Sequence, residues 1–473
     1  ISFSEDVQAR YRSYGWQTLE VDWRKNGNYE EDVKSLYEAI QQAKANLEQP
    51  TLITLRTIIG WPSPTKQNTG KIHGSKLGAE ELAGLKVALG FDPDKHFVVA
   101  PEVLEHTRSV IEKGAQARRF WEADFQNWKL ANPQKSQLLD RLIKGELPAD
   151  LESALPSFEA GTQLATRAAS GKVINAIAPH LPELWGGSAD LAESNNTTIS
   201  GAKSFVPAEW STHEWKGDRY GRVLHFGIRE HAMGAILNGI ALHGNTRAFG
   251  GTFLIFSDYM RPAVRLAALM KVPSIFVWTH DSVALGEDGP THQPIEHIAS
   301  LRAIPGLDVI RPADANEVVA CWLEIIKRDK PAGLLLSRQN LPVIDRSLYK
   351  STAEVGRGAY ALNEVSNPNV LIIASGSEVS IALKASEELA QQGLKARVIS
   401  APCLEWYKEQ EQGYKDLLMP KSVKARVSVE AGIAQGWHEF IGDSGVAISL
   451  EHYGASASAP VLCKEFGFTP EAV

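Results

Sequence analysis

The chain has 473 residues, which is enough for two or three domains. Hydrophobic residues make up 44% of it and charged residues 22%, a composition that is typical of a folded protein and excludes long disorder. The formal net charge of −7 argues against a large nucleic-acid-binding surface, and no apolar run approaches the roughly 20 residues of a membrane span. The three cysteines fit neither a disulfide framework nor a zinc site, so the sequence predicts a cytoplasmic protein without nucleic-acid or membrane partners; a plastid location stays open.

The chain begins with Ile1–Asp6 and shows no initiator methionine. Ser4 and Asp6 are typical residues for the cap of a helix, so the opening is typical of the interior of a longer protein. A processed mature N-terminus is the alternative, and at this stage both interpretations stay open.

The first part of the chain predicts a helix, a strand, a loop and further helices. Apolar residues at helical spacing predict a helix over Val33–Ala45, and the β-branched run Thr51–Ile59 predicts a short buried strand. The Gly- and Pro-rich stretch Gly60–Gly78 predicts a loop, and its lone histidine, His73, would ordinarily face solvent. Residues 80–150 are helical and charged in pattern, so we interpret them as the end of a first domain and a linker.

Alternating strands and helices predict a second unit from about Leu164 and a smaller third unit from about Gly356. In the second unit the predicted strands are Glu183–Asp190, Val223–Phe226, Ser274–Thr279 and Leu307–Arg311, and the predicted helices are Arg167–Ile177, Glu230–His243 and Tyr259–Met270. In the third unit the predicted strands are Val370–Ala374, Lys395–Ser400, Ala425–Glu430 and Ala447–Leu450, with a helix at Glu378–Gln392. This alternation predicts an α/β fold with parallel sheets covered by helices on both faces. Ligands of such sheets bind at the carboxyl ends of the strands.

Glu230 is a candidate catalytic residue because it opens a helix that is otherwise almost entirely apolar. An acid at a helix N-terminus is ordinary, since the helix dipole favours it. A carboxylate that leads a buried helix needs a partner, however, and a protonated ring nitrogen of a ligand could be that partner.

Phe253, Phe256 and Tyr259 are spaced three apart and follow Gly250-Gly251, which we interpret as a loop at the end of a strand. Such an aromatic stripe belongs more often to a protein core than to a cofactor site. The preceding glycines make a ring-stacking surface plausible, and both interpretations stay open.

The segment Thr279–Gln293 gathers chemistry-bearing side chains directly after an apolar strand. It contains His280, Asp288 and His292 together with further acids and glycines, and nothing apolar enough to pack them. Solvated loops seldom concentrate imidazoles and carboxylates at this position, so the pattern favours a site.

Other residues are suited to binding an anion. Asp190 and Ser194 follow Gly186-Gly187, where the backbone can approach a ligand closely. Arg167 opens a predicted helix and Arg338 ends an apolar run. Singly, each arginine would most often form a surface salt bridge, whereas together with serine and histidine they suit a sugar phosphate.

Taken together, these segments resemble the transketolases, a family of thiamine-diphosphate-dependent enzymes. The matching segments occur in order along almost the whole chain and are Ser63–Ser75, Gly186–Asn195, Phe226–Gly244, Phe256–Met270, Thr279–Pro294, Ser337–Pro342 and Glu430–Trp437. The segments THDSVALGEDGPTHQP and SRQNLP are specific to this family, whereas GIREH is shared more widely among thiamine enzymes.

The resemblance implies a fold, a reaction and partners. It implies the parallel-sheet thiamine-diphosphate-binding fold, divided into a remnant of the diphosphate-binding domain with its linker at 1–150, a pyrimidine-binding domain at 155–345 and a smaller α/β C-terminal domain at 355–473. It implies a homodimer and the reversible transfer of a two-carbon ketol unit from a ketose phosphate to an aldose phosphate, as in the pentose phosphate pathway or the Calvin cycle.

The resemblance also implies roles for single residues, foremost that Glu230 bonds to the aminopyrimidine ring and takes part in acid–base catalysis. The implied catalytic residues are Glu230, His73, His280 and His292. The implied cofactor contacts are Glu230, Phe253, Phe256, Tyr259, Asp190 and His73. The implied substrate contacts are Arg167, Ser194, His280, Asp288, His292 and Arg338.

One motif of thiamine enzymes, the GDG sequence that holds a divalent metal, is missing from the sequence. Gly286–Gly289 (GEDG) with Asn316 imitates its spacing, but this segment belongs to the substrate loop, so we predict no metal ligand here. We expect the ligands of Mg²⁺ or Ca²⁺ to lie outside this chain, with weak cofactor binding and little turnover. Two alternatives stay open, a catalytically impaired fragment or scaffold and a dihydroxyacetone synthase.

Overall fold

The computed structural model describes residues 3–24 and 29–473. It divides into two compact units, Ile1–Leu130 and Ala131–Val473, which are described separately. Ile1 and Ser2, on which the interpretation of the chain's opening partly rests, lie outside the described residues.

The first unit is built around two parallel strands. Its elements are α1 (Val7–Ser13), β1 (Gln17–Asp22), α2 (Val33–Ala45), β2 (Thr51–Arg56), α3 (Ala79–Ala88) and α4 (Pro101–Ala131), the last of which ends at the boundary of the unit. Asp6 caps α1, because its carboxylate accepts the Ala9 N–H at 2.9 Å, and α2 has the predicted bounds. β2 pairs with β1 from Gln17–Thr51 to Asp22–Arg56. β2 is half-buried to exposed within its unit, so the prediction of a buried strand was wrong.

The second unit begins with a six-stranded parallel sheet. Its elements are α5 (Pro133–Lys144), β3 (Gln163–Ala165), α6 (Thr166–Ile177), β4 (Leu184–Ser188), α7 (Ala192–Asn195), β5 (Val223–His225), α8 (Glu230–His243), β6 (Arg247–Phe253), α9 (Ser257–Met270), β7 (Ile275–Thr279), α10 (His297–Arg302), β8 (Asp308–Ile310), α11 (Ala315–Arg328), β9 (Ala332–Leu336) and β10 (Asn340–Pro342). β3 and β10 form a separate antiparallel pair. The other six strands form the sheet in the order β5-β4-β6-β7-β9-β8, with every neighbouring pair parallel. This confirms the predicted parallel α/β architecture.

Gly250 and Gly251 lie within β6, so the interpretation of this pair as a loop was wrong. Both glycines are there for close packing. A Cβ on Gly250 would lie 2.8 Å from the Leu237 side chain of α8. One on Gly251 would lie 2.7 Å from the Thr197 side chain and 3.2 Å from that of Asn195, which ends α7. Helices α7 and α8 can therefore approach the two faces of the strand.

A five-stranded sheet follows in the same unit. Its elements are β11 (Tyr360–Ala361), β12 (Val370–Ala374), α12 (Glu378–Gln391), β13 (Ala396–Ser400), α13 (Leu404–Lys408), α14 (Gln412–Leu418), β14 (Arg426–Val429), α15 (His438–Ile441), β15 (Val446–Ile448) and α16 (Ala459–Glu465). The order is β11-β13-β12-β14-β15, and only β11 runs antiparallel among these described strands.

The two sheets of the second unit share one hydrophobic core and a buried ionic network. Trp322 of α11 and Val379 of α12 belong to the same buried cluster. Arg311, which follows β8 and is fully buried, donates to Asp281 at 2.8 Å and also binds Glu378. A charge in this position is stable only while its partners hold it, so the network fixes the C-terminal sheet against the end of β7.

Length alone would allow one helix to cross a membrane, since α4 has 31 residues. It carries charges along its length, including Arg118, Arg119 and Glu122. Within residues 3–24 and 29–473, no helix is at once long and apolar enough for a membrane span.

Candidate active site

The candidate residues of the second unit lie at one edge of the six-stranded sheet. Because its strands are parallel, their carboxyl ends meet at the same edge. Asp190 follows β4, Glu230 follows β5, Phe253 ends β6, His280 follows β7 and Arg338 follows β9. The topology therefore brings together residues that are far apart in the sequence.

Glu230 is a buried carboxylate that has no partner in residues 3–24 and 29–473. It is 8% exposed and begins α8. The neighbouring Arg229 does not pair with it, since its Nε donates to the Phe226 carbonyl at 2.6 Å. No group in the described part of the chain donates to the Glu230 carboxylate. Burying such a group costs free energy, so the site is prepared to accept a hydrogen bond from a ligand.

The aromatic residues form a row that leads from the core to the surface. Phe253 is 9% exposed and Tyr259 is 66% exposed, with Phe256 between them. The ring centroids lie 5.7 Å apart for Phe253 and Phe256 and 5.9 Å apart for Phe256 and Tyr259. Phe253 also stacks on His280, with ring centroids 3.7 Å apart. The exposed Tyr259 ring at the outer end of the row is accessible to a planar ligand.

His280 is buried and electrically neutral. It is 2% exposed and has a positive φ of 60°. Burial lowers the pKa of His280, and the positive charges of Arg167 and Arg338 and the neighbouring His292 lower it further, to about 3. Its Nδ1 lies 2.8 Å from the Thr279 hydroxyl, which in turn donates to Asn195 at 2.6 Å.

Arg167 and Arg338 form an uncompensated positive pair. Arg167 donates to the Ser194 carbonyl at 2.7 Å and Arg338 to the Leu285 carbonyl at 3.1 Å. Neither guanidinium has a carboxylate partner among the residues that the structure describes. Burial lowers the pKa of Arg167, and the charge of Arg338 lowers it further, so an anion bound beside both would relieve their repulsion.

The remaining candidate residues differ in their burial and in their contacts with these side chains. His292 is half-buried, with its ring centroid 5.8 Å from that of Phe256. Asp190 is exposed with a φ of 59°, and Asp288 is exposed without a bonding partner in the described chain. His73 is exposed in the first unit, after the short turn Gly70–Ile72.

The structure adds residues that sequence reasoning missed. Thr279 was interpreted only as the end of a strand and Asn195 only as part of a motif, yet both are fully buried polar residues that bond towards His280. A polar residue that directly ends an apolar strand is the signal that could have found Thr279, whereas Asn195, which ends α7, has no such local signal. Asp281 was likewise missed as the partner of Arg311.

Asp258, Glu296 and His297 form a further cluster, in which one ligand atom from each residue lies within 4.8 Å of the others. His297 Nε2 is 3.1 Å from Asp258. An imidazole among the ligands does not suit Mg²⁺ or Ca²⁺, which prefer oxygen ligands throughout. We therefore do not assign the divalent ion expected from the sequence to this cluster.

Comparisons with known proteins agree along the whole chain. Three family models match: the transketolase thiamine diphosphate binding domain at 1–148, the transketolase pyrimidine binding domain at 162–343 and the transketolase-like C-terminal domain at 358–469. Transketolase from Mycobacterium leprae is 54% identical to this chain, and the match covers 100% of this chain and 68% of that protein. Transketolase from Geobacillus stearothermophilus is 45% identical, and the match covers 100% of this chain and 69% of that protein.

Solved structures show the same likeness. Transketolase from Pichia stipitis in complex with sedoheptulose 7-phosphate superimposes with a TM-score of 0.91 at 40% identity, covering 100% of this chain and 68% of that one. Transketolase from Leishmania mexicana has a TM-score of 0.90 at 39% identity, covering 100% and 67%.

Proposed function

Because the chain belongs to the transketolase family of thiamine-diphosphate-dependent enzymes, we propose that it transfers a two-carbon ketol unit reversibly from a ketose phosphate to an aldose phosphate. The observation that carries this proposal is the pair Arg167 and Arg338, which has no carboxylate partner within the described ranges and flanks His280 at the sheet edge that also holds Glu230. Such a group suits a phosphorylated substrate beside a ring-containing cofactor. The Pichia stipitis relatives were solved with xylulose 5-phosphate and sedoheptulose 7-phosphate, which supports the same substrate class here.

The residues at this edge fit the pyrimidine half of thiamine diphosphate. Glu230 offers a buried acceptor, and the aromatic row that ends at the exposed Tyr259 offers a ring surface. When bound, thiamine diphosphate supplies the nucleophilic carbon that carries the two-carbon unit. Glu230 would accept the hydrogen bond of a protonated ring nitrogen and hold that proton in place. Asp190 would lie beside the cofactor.

The substrate would be oriented by the basic group. Guanidinium groups bind phosphate through paired, charge-assisted hydrogen bonds, which assigns the phosphate to Arg167 and Arg338 with Ser194. His280 and Asp288 would contact sugar hydroxyls, and His292 would act in proton transfer. For His73, which lies in the first unit, the proposed contact with the cofactor diphosphate rests on the family resemblance alone.

We also propose a homodimer and keep the division into domains at 1–150, 155–345 and 355–473, which the matched family ranges support. Helices α8 and α9 pack on each other and expose large apolar side chains. These include Ile236 (46% exposed), Leu242 (59%), Tyr259 (66%), Leu266 (45%) and Leu269 (66%). Exposed apolar side chains on two packed helices are typical of an interaction surface, and a second copy of the chain would cover them.

A transfer assay tests the proposed function. The purified protein is mixed with thiamine diphosphate, Mg²⁺, xylulose 5-phosphate and an aldose phosphate, and the lengths of the product sugars are measured. The proposal expects a ketose phosphate two carbons longer than the acceptor, with loss of this product in Glu230→Gln. Glu193→Gln, which changes an exposed acid on α7, is the matched control.

Other outcomes would overturn the proposal. Transfer to formaldehyde but to no aldose phosphate would indicate a dihydroxyacetone synthase. Binding of cofactor and sugar phosphate by calorimetry, without transfer to either acceptor, would indicate an impaired fragment or scaffold.

A further inference from the structure

A chain of buried hydrogen bonds runs from the backbone of β6 to His280. It passes from the Gly251 carbonyl through the side chains of Ser188, Asn195 and Thr279. We infer that this chain of hydrogen bonds fixes His280 as the neutral Nδ1–H tautomer, so that its Nε2 is an unprotonated hydrogen-bond acceptor. Asn195 then acts as a positioning residue, because it controls the ring through Thr279.

The direction of the chain is set at its far end. The Gly251 carbonyl can only accept, so the Ser188 hydroxyl, 2.9 Å away, donates its one proton there. The Ser188 oxygen then accepts from the Leu191 N–H at 3.2 Å and from Asn195 Nδ2 at 2.8 Å. This requirement places the amide nitrogen of Asn195 toward Ser188 and its oxygen toward Thr279.

The same logic carries the direction to the imidazole. The Thr279 hydroxyl lies 2.6 Å from Asn195 Oδ1 and donates its one proton to it. Towards His280 the Thr279 oxygen can therefore only accept, and Nδ1, 2.8 Å away, must carry the proton. In a neutral imidazole the other nitrogen is then unprotonated.

Water does not compete for these bonds. Ser188 is 3% exposed, and Asn195 and Thr279 are 0% exposed. The members stand on three adjacent strands, β4, β6 and β7, and on α7, which packs against them. The core of the sheet, rather than the pocket, thus sets the protonation pattern of the ring.

The charged and titratable groups that face His280 reinforce a neutral ring. Arg167 approaches from α6, Arg338 from the segment after β9 and His292 from the loop after β7, and all three disfavour a second proton. The Phe253 ring stacks on His280 at 3.7 Å. Asp281, the adjacent acid, is held by Arg311.

One consequence rests on the proposed function. A sugar hydroxyl can donate directly to a bare Nε2, whereas a phosphate oxygen cannot bond to it unless a proton is present between them. His280 would therefore accept from a hydroxyl, and a contact with phosphate would require one proton on either Nε2 or the phosphate oxygen.

Nuclear magnetic resonance of the protein labelled with ¹⁵N-histidine tests the inference without any ligand, so its result does not depend on the proposed function. The signals of His280 are assigned by their loss in His280→Gln. Between about pH 6 and 8, where an ordinary histidine titrates, we expect a protonated Nδ1 and an unprotonated Nε2 that do not change. A protonated Nε2 in this range would overturn the inference.

Substitutions of single residues test the parts of this hydrogen-bond chain. Thr279→Val, which keeps the shape of the side chain, and Asn195→Leu should let the ring sample both tautomers. The other histidine signals report on the fold, and Thr279→Val decides alone if Asn195→Leu does not fold. An unchanged His280 pattern in folded Thr279→Val would refute the role of the chain.

Discussion

Glu430→Gln is expected to destabilise the protein strongly at neutral pH and less in acid. Glu430 is 3% exposed and accepts two bonds from Arg302, at 2.7 and 2.8 Å, and one from Trp437 at 2.9 Å. Burial alone would raise the pKa of Glu430, but Arg302 above all, with Arg311 and the Ser375 hydroxyl, lowers it to about 2. The folded state therefore holds the ionised carboxylate.

The magnitude follows from the difference between this pKa and the ordinary value of 4.5. At about 1.36 kcal/mol per pH unit, the charge of Glu430 contributes about 3 kcal/mol above pH 4.5. Because the folded pKa is the lower one, this contribution is lost as the pH falls towards 2, and about 2 kcal/mol remains at pH 3.5. Breaking a buried ion pair by removing one partner typically costs about 3–5 kcal/mol, a range that includes the contribution worked out for Glu430.

Urea unfolding followed by circular dichroism at pH 7 and pH 3.5 measures the effect. Glu430→Gln should lower the unfolding free energy by about 3 kcal/mol at pH 7 and by about 2 kcal/mol at pH 3.5. The matched control is Glu439→Gln, whose exposed pair with Lys408 should contribute less than about 1 kcal/mol. A loss for Glu430→Gln that is no larger than the control, or that is independent of pH, would refute the reasoning.

Three further predictions concern packing, charge and thiol chemistry. Gly187→Ala should lower the unfolding free energy by about 3 kcal/mol, because its Cβ would lie 1.9 Å from a carbonyl oxygen of the neighbouring strand. Gly413→Ala in α14, whose Cβ meets nothing within 4 Å, should raise it by up to about 1 kcal/mol; similar urea midpoints for the two would contradict this. Arg338→Leu should weaken sugar phosphate binding about 10-fold or more, from the loss of a charged hydrogen bond, and leave binding of the unphosphorylated sugar unchanged, as calorimetry would show. Burial raises the pKa of the Cys321 and Cys403 thiols well above the ordinary value, so both should react with iodoacetamide only after denaturation; rapid native labelling seen by mass spectrometry would contradict this.

Much of the fold was predictable because its local signals agree with its tertiary structure. Helix α8 has the predicted bounds, Glu230–His243, since charged residues open it and Gly244 ends it with a φ of 87°. Strand β6 was missed because Gly250-Gly251 is locally typical of a loop. The reason for these glycines is the close approach of α7 and α8, which a single segment of sequence does not show.

The candidate site was predictable in its residue types but not in its chemistry. The sequence placed His280 in a site, yet the charge and tautomer of the ring depend on Asn195, Arg167 and Arg338. Asn195 bonds to Thr279 across a separation of 84 residues. Contacts of this range depend on the register of the sheet, and no local pattern records them.

The bond from Arg311 to Asp281 limits how modular the protein can be. Asp281 directly follows His280, and Arg311 is held from the other side by Ser375 and Glu378 of the C-terminal sheet. The C-terminal domain therefore helps to fix the position of His280, although none of its residues is among the candidate ligand contacts. A chimaera that exchanges this domain between relatives would have to keep Ser375 and Glu378. Without them the exchange would displace the His280 imidazole, which the transplanted domain itself does not contact.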